Sequence, residues 1–403
     1  MLCEIEKCFG CMACYNICPV NAINVIEDEE GFLRPKIQED KCIKCKKCIN
    51  SCAAIEDVER NNETFEQETY ACWNKDEEIR KNSTSGGLFT AMASSILKQN
   101  GVVFASSFDN KFNIVHSAIY NKDDVVKFRG SKYVQSNIGS TYKEAKMLLD
   151  NKKSVLFTGT PCQIAGLYKF LGNEYNDLYT CDLICHGVPS PKVYRSYINY
   201  MQNKYKSPIT NINFRDKQSG WKVYSVKINF QNGKVYTKSN LKDPYSRGFL
   251  RDYFIRPSCS NCQYANIIRK GDMTIGDFWG YKSTNKKDLD DDRGISLAII
   301  NSRNGKKLFE FCKNDIVYFK RSIDEAIRGN KCLSSCFLAS SKRKEFWQDY
   351  NLRPFKYVIK KYMYPESVPI ETKVRKKIGS MVSKETKRKL KKILKISSSN
   401  KHS

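Results

Sequence analysis

No apolar run in this chain approaches the ~18 residues that a membrane-spanning helix needs. Nor does the chain open on a charged leader and an apolar stretch, since Met1 leads straight into Leu2 and Cys3. Both absences lead to an expectation of a cytoplasmic protein. Acidic residues are few beside basic ones, with 43 Asp and Glu against 69 Lys and Arg, a net charge of +26. No nucleic-acid-binding motif accompanies that excess, so nucleic acid is not expected as a partner. The charge is also uneven. Residues 1–69 hold 8 bases and 14 acids, whereas the stretch from Glu371 onward holds 12 bases and 2 acids. What the chain has in abundance is cysteine, 18 in 403 residues. A reducing compartment keeps thiols free, so these read as metal ligands rather than disulfides.

Eight of the cysteines fall in the first 52 residues. Cys8, Cys11, Cys14 and Cys18 form a C-x2-C-x2-C-x3-C run followed by Pro19, and Cys42, Cys45, Cys48 and Cys52 repeat the spacing. This is the bacterial ferredoxin pattern for two 4Fe–4S cubes, in which the fourth cysteine of each run ligates the other cube. The expected sets are therefore Cys8, Cys11, Cys14 with Cys52, and Cys42, Cys45, Cys48 with Cys18. Zinc also uses C-x2-C pairs, but two such runs in tandem favour iron. Ala53 stands where a second proline is common, and it is not a ligand.

A chain this long should hold two or three domains. The expected division is a two-cluster module at 1–58, a polar linker at 59–69, a body at 70–357 in two parts (70–152 and 153–357), and a basic tail at 358–403. In the body the polar turn at Ser83–Gly87 opens a helix from Leu88. Strands are expected near Val102–Phe108, Ile114–Tyr120, Ser154–Phe157, Leu178–Leu183, Met273–Asp277 and Ile295–Asn301. Helices are expected at Tyr142–Asp150, from Cys162 with Pro161 near N1, and after Ser190. Ile209–Lys238 reads as a hairpin closed at Asn232-Gly233. The mixture predicts an α/β fold (α+β mixed), with a bacterial-ferredoxin-like module fused to a larger body.

Four more cysteines sit in turn contexts: Cys162 in G-T-P-C-Q-I-A-G, Cys185 in C-H-G-V-P-S, and Cys259 and Cys262 in C-S-N-C. Spacing alone leaves a third metal site and small buried cysteines as equal readings. Gly159 and Gly166 around Cys162 permit close backbone approach. Cys3, Cys72, Cys181, Cys312, Cys332 and Cys336 read as spare thiols.

Together with S-G-G at Ser85–Gly87, G-S-K-Y-V-Q-S at Gly130–Ser136 and G-D-F-W-G at Gly276–Gly280, these motifs run in order over residues 70–300. On them the body resembles the coenzyme F-420 hydrogenase/dehydrogenase beta-subunit family, which includes chlorophyll-cycle and sulfite-linked reductases. The resemblance implies an FAD-binding body with a third 4Fe–4S cluster on Cys162, Cys185, Cys259 and Cys262. It implies flavin-site roles for Ser85, Gly86, Gly87, Ser131, Lys132 and Gln135, and for Thr158 and Gly159. His186 reads as structural. Asp277 and Trp279 stay open between site and packing, and no catalytic residue is assigned.

The function expected from all this is an iron–sulfur flavoprotein oxidoreductase. Electrons would pass between the module's clusters and a flavin that exchanges a hydride with a small organic substrate or a deazaflavin coenzyme. A one-electron carrier of the ferredoxin kind, or a redox partner enzyme, would be the other party. The competing reading is an electron-transfer adaptor subunit without a substrate site, linked to polysaccharide biosynthesis. In the tail, Lys373–Lys395 sets Val374, Ile378, Met381, Val382, Leu390, Ile393 and Leu394 on one broad side, interrupted by Arg375 and Lys389. A basic amphipathic helix lying peripherally on the inner membrane face and a solvated tail both remain open.

Overall fold

The computed structural model describes residues 3–55, 65–283 and 290–364. Residues 365–403 of the expected tail and 59–64 of the expected linker fall outside them, whereas 358–363 continue the body, with Val358, Ile359, Tyr362 and Met363 buried in its core. Among the described residues no helix is long and apolar enough to cross a membrane.

The N-terminal module is built on one hairpin, β1 (Ile23–Glu27) paired antiparallel with β2 (Leu33–Ile37). The Asp28 carboxylate turns the chain between them by accepting the backbone N–H of Glu30 at 3.1 Å and of Phe32 at 2.8 Å, as an Asx turn does. Short helices at Ala13–Ile17 and Lys47–Asn50 carry the ends of the two cysteine runs.

The body follows as β3 (Glu68–Asn74), β4 (Val102–Phe108), β5 (Ile114–Ile119), β6 (Val155–Gly159), β7 (Leu178–Leu183), β8 (Ile209–Asp216), β9 (Ser225–Phe230), β10 (Val235–Ser239), β11 (Met273–Asp277), β12 (Ser296–Ile300) and β13 (Ile316–Arg321). Eight of these form one mixed sheet in the order β13-β3-β12-β11-β7-β6-β4-β5. Its centre, β11-β7-β6-β4, is parallel, and antiparallel strands flank it on both sides. Every residue of β6, Val-Leu-Phe-Thr-Gly, is buried, as a strand covered on both faces requires. Side chains alternate between the two faces. Val103 and Leu156 pack with Leu88, Met92, Ile96 and Leu308. Phe104 and Phe157 pack on the other face with Tyr142, Ile164, Leu167 and Phe170. Met12 and Ala13 of the module join that second cluster, so module and body share a core. The fold is mixed α/β, as the pattern of elements predicts.

The expected hairpin at 209–238 is one part of a three-stranded sheet, order β10-β9-β8. The β9–β10 turn does sit at Asn232-Gly233, with Gly233 at φ +79°. β8 adds antiparallel to β9 with irregular register between Asn213 and Asp216, and that break hides its alternation. β3 also escapes the sequence pattern, because pairing with both β12 and β13 buries Ala71 and Cys72 on opposite faces.

Candidate metal centres and cavity

Each cysteine run of the module winds the same way. Gly10 (φ 67°) and Met12 (φ 61°) flank Cys11, and Lys44 (φ 56°) and Lys46 (φ 60°) flank Cys45. Left-handed conformations at non-glycine residues are costly and persist where the surroundings impose them. Here they curl three thiols toward one point in both runs.

The thiols of Cys8, Cys11, Cys14 and Cys52 lie within electrostatic reach of one another. Cys18, Cys42, Cys45 and Cys48 line one small cavity of about 30 Å³. The fold thus places Cys8, Cys11, Cys14 and Cys52 near one another, and Cys18, Cys42, Cys45 and Cys48 around one cavity. One residue was missed: the Cys3 thiol is hydrogen-bonded to both Cys8 and Cys52. That contact lowers Cys8 to about 5, helped by Arg256 and Arg34 against burial, and lowers Cys52 to about 6. Burial pushes Cys11 up to about 12. A thiol so placed becomes a thiolate only against a cation, which iron would supply.

The inner set is clamped to the body. The Cys8 carbonyl accepts Arg256 Nη1 at 3.1 Å and Ser258 Oγ at 3.1 Å, besides Arg34 Nη1 at 2.9 Å. The Ala53 carbonyl accepts Gln263 Nε2 at 3.0 Å and Tyr264 Oη at 3.2 Å. Phe9 packs edge-on against Tyr264 with centroids 5.3 Å apart. Gly166 lies beside Cys11, so close that an added Cβ would stand 2.8 Å from the Cys11 Cβ.

The four body cysteines converge from three places. Cys162 begins the helix Pro161–Leu171 just past β6, with Pro161 at N1 and a Thr160–Gln163 capping box. Cys185 follows β7. Cys259 and Cys262 come from the turn at Pro257–Asn261. Burial raises all four thiols first; next, Cys162 is raised by Cys262 and Cys259 and Cys185 by the other three, whereas backbone N–H groups hold Cys259 and Cys262 back. Cys162 also feels Cys11 of the inner set. All 18 thiols are free. Among the described residues no three His, Cys, Asp or Glu side chains converge closely enough for a single ion. Two supposedly spare thiols lie near the body set. Cys336 is within reach of Cys262, and Cys332 Sγ is 3.9 Å from His186 Nδ1. The other His186 nitrogen meets Asp252 at 2.7 Å.

Above the body set opens a cavity of about 640 Å³, within the range of small-molecule and cofactor sites. It lies past the C-terminal ends of β6, β7 and β11, where open α/β sheets bind ligands. Ser85, Gly87, Ser131, Lys132, Gln135, Thr158 and Gly159 line it, as do Cys162 and Cys185. Gly86 does not; its backbone is pressed against Cys72 and Ser296, leaving no room for a side chain. Several lining groups are already engaged. Gln135 Oε1 accepts the Leu33 N–H at 2.8 Å, tying the module to the body. Lys132 Nζ donates to the carbonyls of Lys127, Phe128, Arg129 and Gly130 at 3.0–3.3 Å. Burial pushes its amine down to about 7, and that ring of carbonyls favours the ammonium.

Arg215 on β8 went unrecognised in the sequence. It lies over Tyr224, pairs through Nη2 with Asp277 at 3.0 Å, and keeps a buried Nε without an acceptor. Asp277 also accepts Trp221 Nε1 at 2.7 Å, and Trp221 stacks on Trp279 at 4.7 Å. Asp277 and Trp279 therefore support the cavity wall and pack as well.

His116 forms part of that wall, its ring nitrogens 2.6 Å from Ser136 Oγ and 3.0 Å from the Thr158 carbonyl. Burial pushes it down to about 4. An unfolded chain takes up this proton near pH 6.5. Stability present above pH 6.5 should then be lost as pH falls through about 4, by roughly 3 kcal/mol in full. Melting temperature against pH, compared with His116→Asn, checks this; wild type should show the steeper fall.

Residues 152–325 match the family model for the C-terminal part of the coenzyme F420 hydrogenase/dehydrogenase beta subunit, and residues 69–143 match the model for its N-terminal part. Residues 7–54 match a 4Fe-4S dicluster domain. An uncharacterized protein of Methanocaldococcus jannaschii is 24% identical over 340 residues, covering 76% of this chain and 87% of that one. An uncharacterized polyferredoxin-like protein of the same organism is 36% identical over 55 residues, 12% of this chain and 33% of its own length. Among solved structures, a chain of the F420-reducing NiFe hydrogenase complex from Methanosarcina barkeri aligns with a TM-score of 0.44 at 18% identity, over 68% of this chain and 93% of that chain. By the two models that together span most of its body, the chain belongs to the coenzyme F420 hydrogenase/dehydrogenase beta-subunit family, with a 4Fe-4S dicluster domain at its head.

Proposed function

We propose that this chain is a flavoprotein oxidoreductase with three 4Fe–4S clusters. Two are held by the module's cysteine sets and the third by Cys162, Cys185, Cys259 and Cys262, while FAD fills the large cavity. The observation that carries this reading is the shared wall: Cys162 and Cys185 belong to the body set and also line the cavity. Cys11 reaches toward Cys162 from the inner set. The sets thus form a path from the module's outer end to the cavity.

When bound, FAD would supply the conversion between one-electron transfer and two-electron chemistry with a small organic substrate or a deazaflavin coenzyme. The residues around it bind and orient. Arg215 offers one buried donor, Nε, to an anionic group, while Asp277 holds its Nη2. Thr84 holds Ser131 in place by accepting its N–H at 2.8 Å, which fixes the turn Gly130–Ser131 at the cavity edge. Lys132 braces the carbonyls below that turn and is not free to reach a phosphate. The Trp221–Trp279 stack closes one side against water.

Anaerobically purified protein should release about one FAD per chain on acid treatment. Arg215→Met should keep the iron and weaken FAD binding by about 10- to 100-fold, the cost of losing a hydrogen bond to a charged group. Protein that holds full iron and no flavin would overturn the assignment of the cavity.

A further inference from the structure

Charge in the module is segregated. Residues 3–35 carry six acids and two bases, whereas residues 36–55 carry five lysines and two acids. The acids of the first group are largely spent within the chain. Glu30 pairs with Arg343, its Oε1 2.8 Å from Nη1. Glu27 pairs with Arg195 at 2.5 Å and Asp28 with Arg34 at 2.8 Å. The hairpin's acidic end is thus fastened onto a basic body.

The other end is free. Lys41, Lys44, Lys46 and Lys47 are all exposed, and among the described residues none has an ion-pair partner. They surround an apolar centre, Ile43 at 61% exposure and Ile49 at 42%. Cys45, one thiol of the outer set, is itself exposed at the same place. The inner set has no exposed thiol and packs against Arg256, Ser258, Tyr264 and Gly166, so the outer set is the more open to a large partner. Glu39 and Asp40 are exposed at the start of the loop and only partly offset its charge.

We propose that the loop Lys41–Lys47 is the docking face for a small acidic ferredoxin-type carrier. An apolar centre with a charged rim is the anatomy of a transient interface. A lysine ring steers an acidic partner and sets its register, and its effect falls with ionic strength. The apolar centre would bring the carrier's cluster against the outer set. The proposal rests on the reading that electrons cross at the module's clusters.

The test uses full-length, iron-loaded protein and a small acidic 2Fe–2S ferredoxin, pre-reduced and mixed in a stopped-flow cell. Lys44→Glu/Lys46→Glu/Lys47→Glu should slow reduction by about tenfold or more at low ionic strength. It should also remove the salt dependence that wild type shows, while iron content and reduction by a small uncharged photoreductant stay equal. Lys41→Glu/Lys47→Glu, which leaves the left-handed positions untouched, should show the same direction. Equal rates and equal salt slopes would overturn the proposal. So would lysine reversal that abolishes binding to anionic vesicles or DNA yet leaves carrier kinetics alone. Cys42→Ala/Cys45→Ala separates the two layers. If the carrier still reduces that variant at the wild-type rate, the entry route itself is wrong. If reduction stops there while lysine reversal does nothing, the docking face alone is wrong.

Discussion

Cys259→Ala/Cys262→Ala should lower the iron content of anaerobically purified protein from about twelve atoms per chain to about eight, four per cube lost. Two ligands are removed together because three remaining thiolates can hold a partial cube. The pair sits in one turn, with the Cys259 N–H donating to the Arg256 carbonyl at 3.0 Å and the Ala265 N–H to the Cys262 carbonyl at 3.2 Å, so the backbone keeps its shape without the thiols. The eight module cysteines are untouched, and their electron paramagnetic resonance signals after reduction should remain. Flavin reduction driven by a one-electron carrier should stop, since the body set is the proposed step between Cys11 and the cavity. Iron near twelve in the variant would remove the third cluster from the scheme; zinc in place of iron would remove all three.

Gly166→Val should uncouple module from body. A Cβ at Gly166 would meet Cys11 Cβ at 2.8 Å, Cys11 Sγ at 2.9 Å and Tyr142 Oη at 3.2 Å. None of these is the loose end of a flexible chain, so the helix Pro161–Leu171 or the Cys11 loop must move. Overpacking of this kind costs about 1–3 kcal/mol, which a melting curve will register. The larger effect is expected in function, because the same helix carries Cys162 and any shift widens the gap between inner and body sets. Carrier-driven reduction of the flavin should slow sharply, with iron content kept. Wild-type transfer rates would show that electrons do not cross at this seam.

Much of the module was readable because its chemistry is local. Ligand spacing within each run is set by a few residues, and the exchange of Cys18 and Cys52 between sets follows from it. In the body the turns at Ser85–Gly87, Gly130–Ser136 and Gly159–Gly166 pointed to the cavity only through a family resemblance, since no short pattern in them specifies a flavin. What stayed hidden depends on partners far apart in the chain. Arg215 gains meaning from Asp277, Gln135 from Leu33, and Cys3 from both Cys8 and Cys52. β3 and β13 hide for a related reason, as they complete one side of the sheet and their patterns follow neighbours over 200 residues away. Gly166 lies between these cases. A role in close approach was legible, whereas the thing approached, Cys11, was not.

Met12 and Ala13 occupy the same apolar cluster as Ile164 and Leu167, although they lie where the left-handed turn at Met12 opens the short helix Ala13–Ile17, a course that suits a chain wrapped around a cube. Metal binding and folding are coupled wherever a ligand loop has no stable shape of its own. A chain that emerges without iron would therefore leave an opening in the wall of its largest domain, beside the helix that begins at Pro161. Such a chain offers proteases and chaperones an apolar surface that the loaded chain conceals. Iron supply would then set how much of this protein survives in the cell, before it sets how much of it works.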